Sequence, residues 1–247
     1  CTMHPRGMQW VKEEFAGEEW YDFVGYQSGH GDSEESLRWL TEGPPARGWR
    51  GKPAMPVVNL EPCYEHHLAY QSRRRFGAEE VRRALYWSLL VAPTAGVKYG
   101  HHGIWPWMEE RGIPPDHPHS GEAPPWWEAL ESEGSACVTH LRRLFHLLPW
   151  WELRPAQEIL GEQPGVKNVT RSVVAARSEG GRLAVLYLPG VEGVALNPSE
   201  LWLPATLTWY DPATGEAASK GQLRPGGDTV RVVAPGPGDW LLVIRSE

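Results

Sequence analysis

The chain has 247 residues, with 24 lysines and arginines against 31 aspartates and glutamates, which gives a formal net charge of −7. This length allows one large domain or two ordinary ones, each with a sizeable core. The acidic excess argues against a nucleic-acid partner, which requires a basic face. No apolar run reaches the ~18–20 residues that a membrane span requires, so no membrane partner is expected either.

The chain has few cysteines and many tryptophans. The cysteines are Cys1, Cys63 and Cys137, which are too few for a disulfide scaffold and lack the paired spacing of zinc sites. Tryptophan occurs 14 times, and most of these residues lie in residues 1–151. Indole rings suit cores as well as sugar-stacking surfaces, so both uses stay open at this point.

Strand-like and helix-like patterns alternate through residues 1–151. In chain order they predict a strand at 21–26, a helix at 33–40, a strand at 55–61, a helix at 78–91, a strand at 95–99 and a helix at 134–148. Ser33 is the expected N-cap of the first of these helices. Such alternation indicates parallel strands joined by crossover helices, with functional residues after the C-terminal ends of the strands.

Residues 152–247 contain short strand-like runs separated by glycine- and proline-rich turns. The runs lie at residues 173–176, 183–188, 207–210, 230–233 and 240–244. This pattern is typical of a small antiparallel β-sandwich. Trp202, Trp209 and Trp240 fall in or near these runs and are expected in its core. We expect this domain to buttress the first one, and binding to a glycan or a protein is the alternative.

Glu61 is the most informative residue, because a buried parallel strand has no structural use for an acid at its end. Desolvating a carboxylate costs several kcal/mol unless it is paired. Pro62 then ends the strand. His66 and His67 follow without the spacing of a standard ligand pair, so neither a metal nor another cofactor is expected. A carboxylate, histidines and indoles at strand ends favour carbohydrate chemistry.

Other catalytic signatures are absent from the sequence. Ser28 does not lie in a nucleophile elbow, and no glycine-rich phosphate loop opens a helix. Glycoside hydrolysis needs two carboxylates, and Glu61 supplies one. Glu65, Asp22 and Asp32 were each considered as the second, and none of them fits that role.

Three motifs resemble a known family, in the same order. They are Tyr26-Gln27-Ser28-Gly29-His30, Asn59-Leu60-Glu61-Pro62-Cys63-Tyr64-Glu65 and Tyr99-Gly100-His101-His102-Gly103-Ile104-Trp105-Pro106-Trp107. The family is the apiosidase-like glycoside hydrolases, glycoside hydrolase family 140 and its relatives. Tyr210-Asp211-Pro212-Ala213-Thr214-Gly215 and Gly238-Asp239-Trp240 resemble the domain, labelled collagen-binding, that often follows in this family.

The resemblance implies an α/β fold plus an all-β fold. Residues 1–151 would form the C-terminal half of a (β/α)8 TIM barrel, strands five to eight, and residues 152–247 an antiparallel β-sandwich. Residues 2–4 would end strand five, and the three predicted strands would be six, seven and eight. Glu61 matches the nucleophile of a retaining enzyme that cleaves polysaccharide side chains.

The resemblance also implies which residues hold the substrate, a carbohydrate. Gln27, His30, Tyr64, Glu65, His101 and His102 are expected to hold sugar hydroxyls. Trp105 and Trp107 are expected to form an apolar wall for the sugar ring, with packing at the barrel rim as the alternative for both.

The sequence departs from the family because strands one to four are missing, together with the Gly-Gly-Asp segment that carries the acid/base. We therefore expect the C-terminal portion of a longer protein, with little hydrolase activity on its own. A second copy that completes the barrel is one alternative, and a non-catalytic carbohydrate- or protein-binding module is another. The compartment, secreted or cytoplasmic in a bacterium, stays open.

Overall fold

The computed structural model describes residues 1–246, which form two compact units. The first unit comprises Cys1–Ser88 and Ala95–Thr139, and the second comprises Leu89–Thr94 and His140–Glu247. Within the described residues, no helix is long and apolar enough to cross a lipid bilayer.

The first unit is built on a three-stranded parallel sheet. Its strands are β1 (Val24–Tyr26), β2 (Val57–Asn59) and β3 (Gly96–Val97), in the order β1-β2-β3. Tyr26 pairs with Asn59, and Asn59 pairs with Val97, so the three C-terminal ends meet at one edge. We call this the polar edge, because the candidate functional residues follow these ends. The parallel arrangement predicted from the sequence is confirmed.

The strands are shorter than predicted. Tyr21 closes a turn, its N–H bonding the carbonyl of Glu18, and its ring packs against Phe15. The apolar character of this segment therefore serves packing rather than strand pairing. Residues 2–4, expected to end a fourth strand, form no strand in the structure. Three parallel strands, instead of the four that were expected, are present among the described residues.

The helices alternate with these strands. In chain order they are α1 (Lys12–Phe15), α2 (Glu34–Glu42), α3 (Pro44–Arg47), α4 (Ala78–Leu90), α5 (Trp126–Ala129) and α6 (Glu133–His146). Ser33 caps α2 as predicted, its side chain accepting a hydrogen bond from the N–H of Ser36. The longer helices α4 and α6 lie within one or two residues of their predicted bounds. Short 3₁₀ turns occur at Gly48–Arg50, Pro118–Ser120, Trp150–Glu152, Gln157–Ile159, Pro164–Val166, Val169–Arg171 and Pro198–Glu200.

The second unit is dominated by antiparallel strands. They are β4 (Arg154–Pro155), β5 (Val174–Arg177), β6 (Leu183–Leu188), β7 (Gly193–Leu196), β8 (Ala205–Tyr210), β9 (Ala217–Leu223), β10 (Val230–Val233) and β11 (Trp240–Ser246). Six form a sheet in the order β4-β5-β6-β11-β8-β9, and β10 pairs with β7. One core joins side chains of both sheets, among them Leu186, Val194 and Val232.

Strand β9 and the position of one indole in this unit differ from the prediction. β9 was missed because six of its seven residues are exposed, so it has no apolar alternation. Trp209 is buried in the core as expected. Trp202 is not, since 52% of it is exposed and the guanidinium of Arg182 lies 4.5 Å from its ring centroid.

Candidate active site

Glu61 lies just beyond β2 at the polar edge, with 17% of its side chain exposed. The chain on both sides is fixed by backbone hydrogen bonds. Leu60 donates its N–H to the carbonyl of Tyr26 at 2.8 Å, and Gly29 donates to the carbonyl of Glu61 at 2.9 Å. The glutamate is therefore held by the loop that follows β1, and its carboxylate is presented to solvent on one side only.

Gln27, His30 and His4 are among the side chains that contact the Glu61 carboxylate. Nε2 of Gln27 donates to Oε1 at 2.5 Å, and Nε2 of His30 lies 3.4 Å from the same oxygen. Nε2 of His4 lies 3.5 Å from Oε2. Burial alone would raise the pKa of Glu61, but the hydrogen bond and charge of His30, with the charges of His4 and Lys98, outweigh it and lower that pKa. The carboxylate is accordingly an anion at neutral pH.

The backbone fixes which nitrogen of His30 carries the proton. The N–H of Tyr64 donates to Nδ1 of His30 at 3.3 Å, so Nδ1 acts as an acceptor. Nε2 must then carry hydrogen, and it is the nitrogen that faces Glu61. His30 is 4% exposed, which leaves it little freedom to turn. It is therefore a fixed hydrogen-bond donor to the glutamate.

His30 belongs to a stack of imidazoles. The ring of His67 is stacked on that of His30, with centroids 4.0 Å apart and planes 28° apart, and the ring of His102 meets His67 edge-on at 4.9 Å. Burial, followed by the charge of His30, lowers the pKa of His67 to about 3. Burial likewise lowers the pKa of His102. The two inner rings are therefore neutral at neutral pH.

Tyr64 closes the site on the side of β3. Burial raises the pKa of its hydroxyl, and the charge and hydrogen bond of Glu61 raise it further, so the phenol keeps its proton. Its ring lies over Gly100, where a Cβ would stand 2.1 Å from two ring carbons. The ring of Trp105, which is 41% exposed, lies 6.4 Å from that of Tyr64. Tyr64 and Trp105 thus form an aromatic wall beside the carboxylate.

Asn59 holds the polar edge together from beneath. It is fully buried, and its Nδ2 donates to the hydroxyls of Ser28 and Ser88, both at 2.9 Å. Its Oδ1 accepts from the backbone N–H of Ser28 and of Glu61, at 3.3 and 3.2 Å. One amide therefore ties the loop after β1, the end of β2 and helix α4 to each other.

The structure does not place Glu65 with the carboxylate of Glu61, although four residues separate them. Its Oε1 accepts from the N–H of Gly134 at 3.0 Å, and its Oε2 accepts from the hydroxyl of Tyr99 at 2.7 Å. Gly134 lies in the first turn of α6, so Glu65 is an anionic cap of that helix. With 3% exposure and both oxygens occupied, it is a positioning residue, contrary to our expectation of a sugar ligand.

His101 and His102 also differ from expectation. They are 1% and 0% exposed, which leaves no surface for a sugar hydroxyl. Nδ1 of His101 accepts from the N–H of Gly103, and Nε2 of His102 contacts the carbonyl of Gly121 at 3.0 Å. Burial is the main cause that lowers the pKa of His101 to about 4. Both imidazoles are neutral supports of the loop that carries Trp105.

The two indoles of this loop separate. The ring of Trp105 lies next to that of Tyr64, which borders Glu61. The ring of Trp107 instead stacks on that of Trp126, with centroids 4.9 Å apart and planes 13° apart. The two indoles therefore lie on two different surfaces and do not form the single apolar wall that was expected. Among the described residues, no group of three or more histidine, cysteine, aspartate or glutamate side chains could hold a metal ion.

Sequence reasoning missed His4, Asn59 and His67 as parts of the site. His4 lies in a segment that resembles a strand end of the family, and His67 lacks the spacing of a standard ligand pair, so neither was predicted beside Glu61. The signal that could have singled out Asn59 is its position two residues before an acid, at the end of an apolar strand. A buried amide there can accept from the backbone N–H of the acid.

Family comparisons divide the chain in two. The family described as "Apiosidase-like, catalytic domain" matches residues 1–152. The family described as "Putative collagen-binding domain of a collagenase" matches residues 155–245. No curated protein matches the chain significantly.

Two solved structures share the fold of nearly the whole chain. One, titled "Glycoside hydrolase", has a TM-score of 0.80 and 22% identity over 99% of this chain. The other, a glycoside hydrolase family 5 protein from Bacteroides vulgatus, has a TM-score of 0.79 and 21% identity over 98% of this chain. This chain covers 57% and 54% of them, so it spans little more than half their length. On the family match over residues 1–152, the chain belongs to the apiosidase-like family and carries a glycoside-hydrolase-like domain.

Proposed function

We propose that this chain carries the nucleophile of a retaining glycoside hydrolase that acts on side chains of polysaccharides, with Glu61 in that role. One observation carries the proposal: the Glu61 carboxylate stands at the C-terminal edge of a parallel sheet, kept anionic by His30 and His4 and oriented by Gln27. An oriented carboxylate on a rigid strand end is what a glycosyl nucleophile requires.

In this reaction an oxygen of Glu61 forms a bond to the anomeric carbon of the sugar. The bond from that carbon to the leaving oxygen breaks, and the leaving oxygen takes a proton from a second carboxylic acid. That second group then removes a proton from water, whose oxygen displaces Glu61. The lowered pKa keeps the nucleophile ionised, while the donors Gln27 and His30 leave Oε2 less encumbered than Oε1.

The acid/base is proposed to lie outside this chain. The parallel sheet of the first unit would be part of a (β/α)8 barrel, and further residues of a longer polypeptide would complete it and bring the acid. Completion by a second copy of this chain is the alternative, and both predict that the chain alone turns over natural substrates poorly.

The sugar-binding roles are assigned to side chains that contact or face the Glu61 carboxylate. Tyr64, Gln27 and His30 would hold hydroxyls of the sugar bound at Glu61, and Trp105 would cover one apolar face of the ring. Glu65, His101 and His102 would act only through the loops that they support.

A substrate with a good leaving group tests the nucleophile without the acid. In 2,4-dinitrophenyl 2-deoxy-2-fluoroglycosides the phenolate departs with its electron pair and needs no proton, so attack by Glu61 alone leaves the sugar attached as an ester. A panel of such pentosides and hexosides should increase the mass of the protein by one fluorosugar, and peptide mapping should place the label on Glu61.

Two variants separate the outcomes. Glu61→Gln should remain unlabelled, whereas Glu65→Gln, checked for folding by circular dichroism, should still be labelled at Glu61. A label on another carboxylate would assign the nucleophile elsewhere. No label with any sugar of the panel would favour the alternative of a non-catalytic binding module.

A further inference from the structure

A second aromatic surface lies beside the proposed site, and we call Trp107, Trp126 and Trp127 the indole platform. The Trp107 and Trp126 rings are stacked, and Trp127 meets Trp126 edge-on with centroids 5.7 Å apart. Trp107 is 59% exposed and Trp127 is 47% exposed. The three indoles form one exposed apolar cluster, in which Trp107 covers a face of Trp126 and the plane of Trp127 stands at 82° to that of Trp126.

The platform is held rigidly by backbone hydrogen bonds. The N–H of Trp126 donates to the carbonyl of Met108 at 2.8 Å. Gly112 and Ala123 exchange a pair of hydrogen bonds at 3.1 and 2.7 Å, which joins the segment after Trp107 to the segment before Trp126. A surface fixed in this way loses little conformational entropy when a ligand binds to it.

Trp107 is held in a backbone conformation that bulky residues avoid. Its φ is +52°, in the left-handed region, and its N–H bonds the carbonyl of Ile104 at 3.0 Å. Such a conformation costs on the order of 1–3 kcal/mol for a residue other than glycine. The strain is not offset by burial, because more than half of the side chain stays in solvent. Strained, exposed residues of this kind are concentrated at ligand sites.

The platform begins in the same loop as Trp105, which contacts Tyr64 of the proposed catalytic site. Trp107 follows Trp105 by two residues, so their Cα atoms lie within about 7 Å of each other. A sugar chain with one unit at Glu61, against Trp105, can therefore reach the exposed ring of Trp107 with its next units. The platform is placed for the next units of the same molecule.

The charges around the platform select the kind of sugar. Glu122 and Glu128 flank it, and Glu109 and Glu110 are exposed on the turn after Trp107. Arg111, the nearby cation, is paired with Glu128 and lies 4.0 Å from Glu122. The local excess of carboxylates would repel a polymer of uronic acids, so the rings favour neutral sugars.

We infer that the indole platform is a subsite for neutral pyranose units of an oligosaccharide or polysaccharide, next to the unit bound at Glu61. This inference rests on the proposed function, because it takes the sugar at Glu61 as the starting point of the chain. It makes the natural ligand a polymer of several units rather than a simple glycoside.

Direct binding of defined oligosaccharides tests the platform. Cellohexaose, xylohexaose, mannohexaose and hexagalacturonate would be titrated against the protein by calorimetry. At least one neutral hexaose should bind, hexagalacturonate should bind more weakly, and Trp107→Ala should weaken the neutral binding by about tenfold. Trp107→Phe, which keeps an aromatic face, should lose less. Trp202→Ala removes a similarly exposed indole of the second unit and should change nothing.

The measurements separate this inference from the proposed function. Trp107→Ala should still be labelled at Glu61 by the small fluoroglycosides, which do not reach the platform. If no neutral hexaose binds, if Trp107→Ala and Trp202→Ala bind alike, or if hexagalacturonate binds as tightly as the neutral sugars, the platform is not this subsite. Hexaose binding that depends on Trp107, without labelling of Glu61, would instead overturn the nucleophile.

Discussion

The two units bury their side chains for different reasons. At the polar edge of the parallel sheet, Asn59, Glu65 and the imidazole stack are buried. Asn59 and Glu65 have hydrogen-bond partners as far as 31 and 69 residues away in sequence. In the antiparallel unit the core is almost wholly apolar, and the hydrogen bond from Tyr187 to Asp239 is a buried polar contact at its margin.

This difference determines how each unit should respond to mutation. Where buried polar groups satisfy one another, the removal of one leaves several others without partners in a place that water does not reach. Where the core is apolar, a substitution costs in proportion to the volume that it removes. Polar specificity is therefore concentrated in the unit that carries the candidate site.

The largest effects are expected at two buried side chains, Asn59 and Leu186. Asn59→Ala should lower the free energy of unfolding by about 3–4 kcal/mol, because the N–H groups of Ser28 and Glu61 lose their acceptor. Asn59→Leu should cost about as much, although it restores volume. In the other unit, Leu186→Ala should cost about 2–5 kcal/mol and Leu186→Met less than about 1.5. Urea denaturation measures all four, and a harmless Asn59→Leu would contradict the comparison.

Gly134 offers the next largest effect. A Cβ at this position would stand 2.3 Å from Oε2 of Glu65, so Gly134→Ala should displace the cap of α6 and cost about 2–3 kcal/mol. Gly180→Ala is the matched control in the antiparallel unit, since nothing lies within 4 Å of its added Cβ. Thermal melts of the two variants should differ clearly. Equal melting temperatures would mean that Glu65 does not cap the helix as described.

Acid should destabilise the polar edge in particular, because residues 152–247 contain no histidine. The pKa of His67 is lowered in the folded state to about 3, so its contribution is complete above the ordinary histidine pKa of about 6.5 and is lost as the pH falls towards 3. Near pH 5.5 the His67→Gln variant should lose less free energy of unfolding than the unmodified protein, by at most about 1 kcal/mol. Urea midpoints between about pH 7 and pH 4.5 measure it, and parallel curves would exclude His67 as a cause.

The smallest effect is expected for a surface ion pair of the antiparallel unit. Arg231 lies 3.1 Å from Glu162, and 58% of each side chain is exposed. Arg231→Gln should change the free energy of unfolding by less than about 0.5 kcal/mol, because water screens such pairs. A loss above 1 kcal/mol in urea denaturation would mean that this unit also depends on specific polar contacts.

Local patterns in the sequence predicted much of the fold. Ser33 before two glutamates gave the start of α2, and the apolar spacing of residues 78–91 gave α4 to within one residue. These features depend on neighbours three or four positions away. The exposed edge strand β9 had no such pattern and was missed, because its place is set by pairing with β8.

The site was predictable only where it depends on one strand end. Glu61 could be singled out because an acid follows an apolar strand. Glu65 could not be placed, because its partners Tyr99 and Gly134 are 34 and 69 residues away. The sequence spacing suggested one pocket for the two acids, whereas long-range contacts turned the second carboxylate to the start of a helix.

Gly100 has a consequence for the divergence of this protein. Because the Tyr64 ring occupies the space in which any side chain at residue 100 would begin, a larger residue there must be accompanied by a change at Tyr64. Substitutions at residues 64 and 100 must therefore occur together during evolution. Homologues that keep a glutamate at the position of Glu61 but lose both Gly100 and Tyr64 would have rebuilt the wall of the site, and should differ in the sugar that they accept.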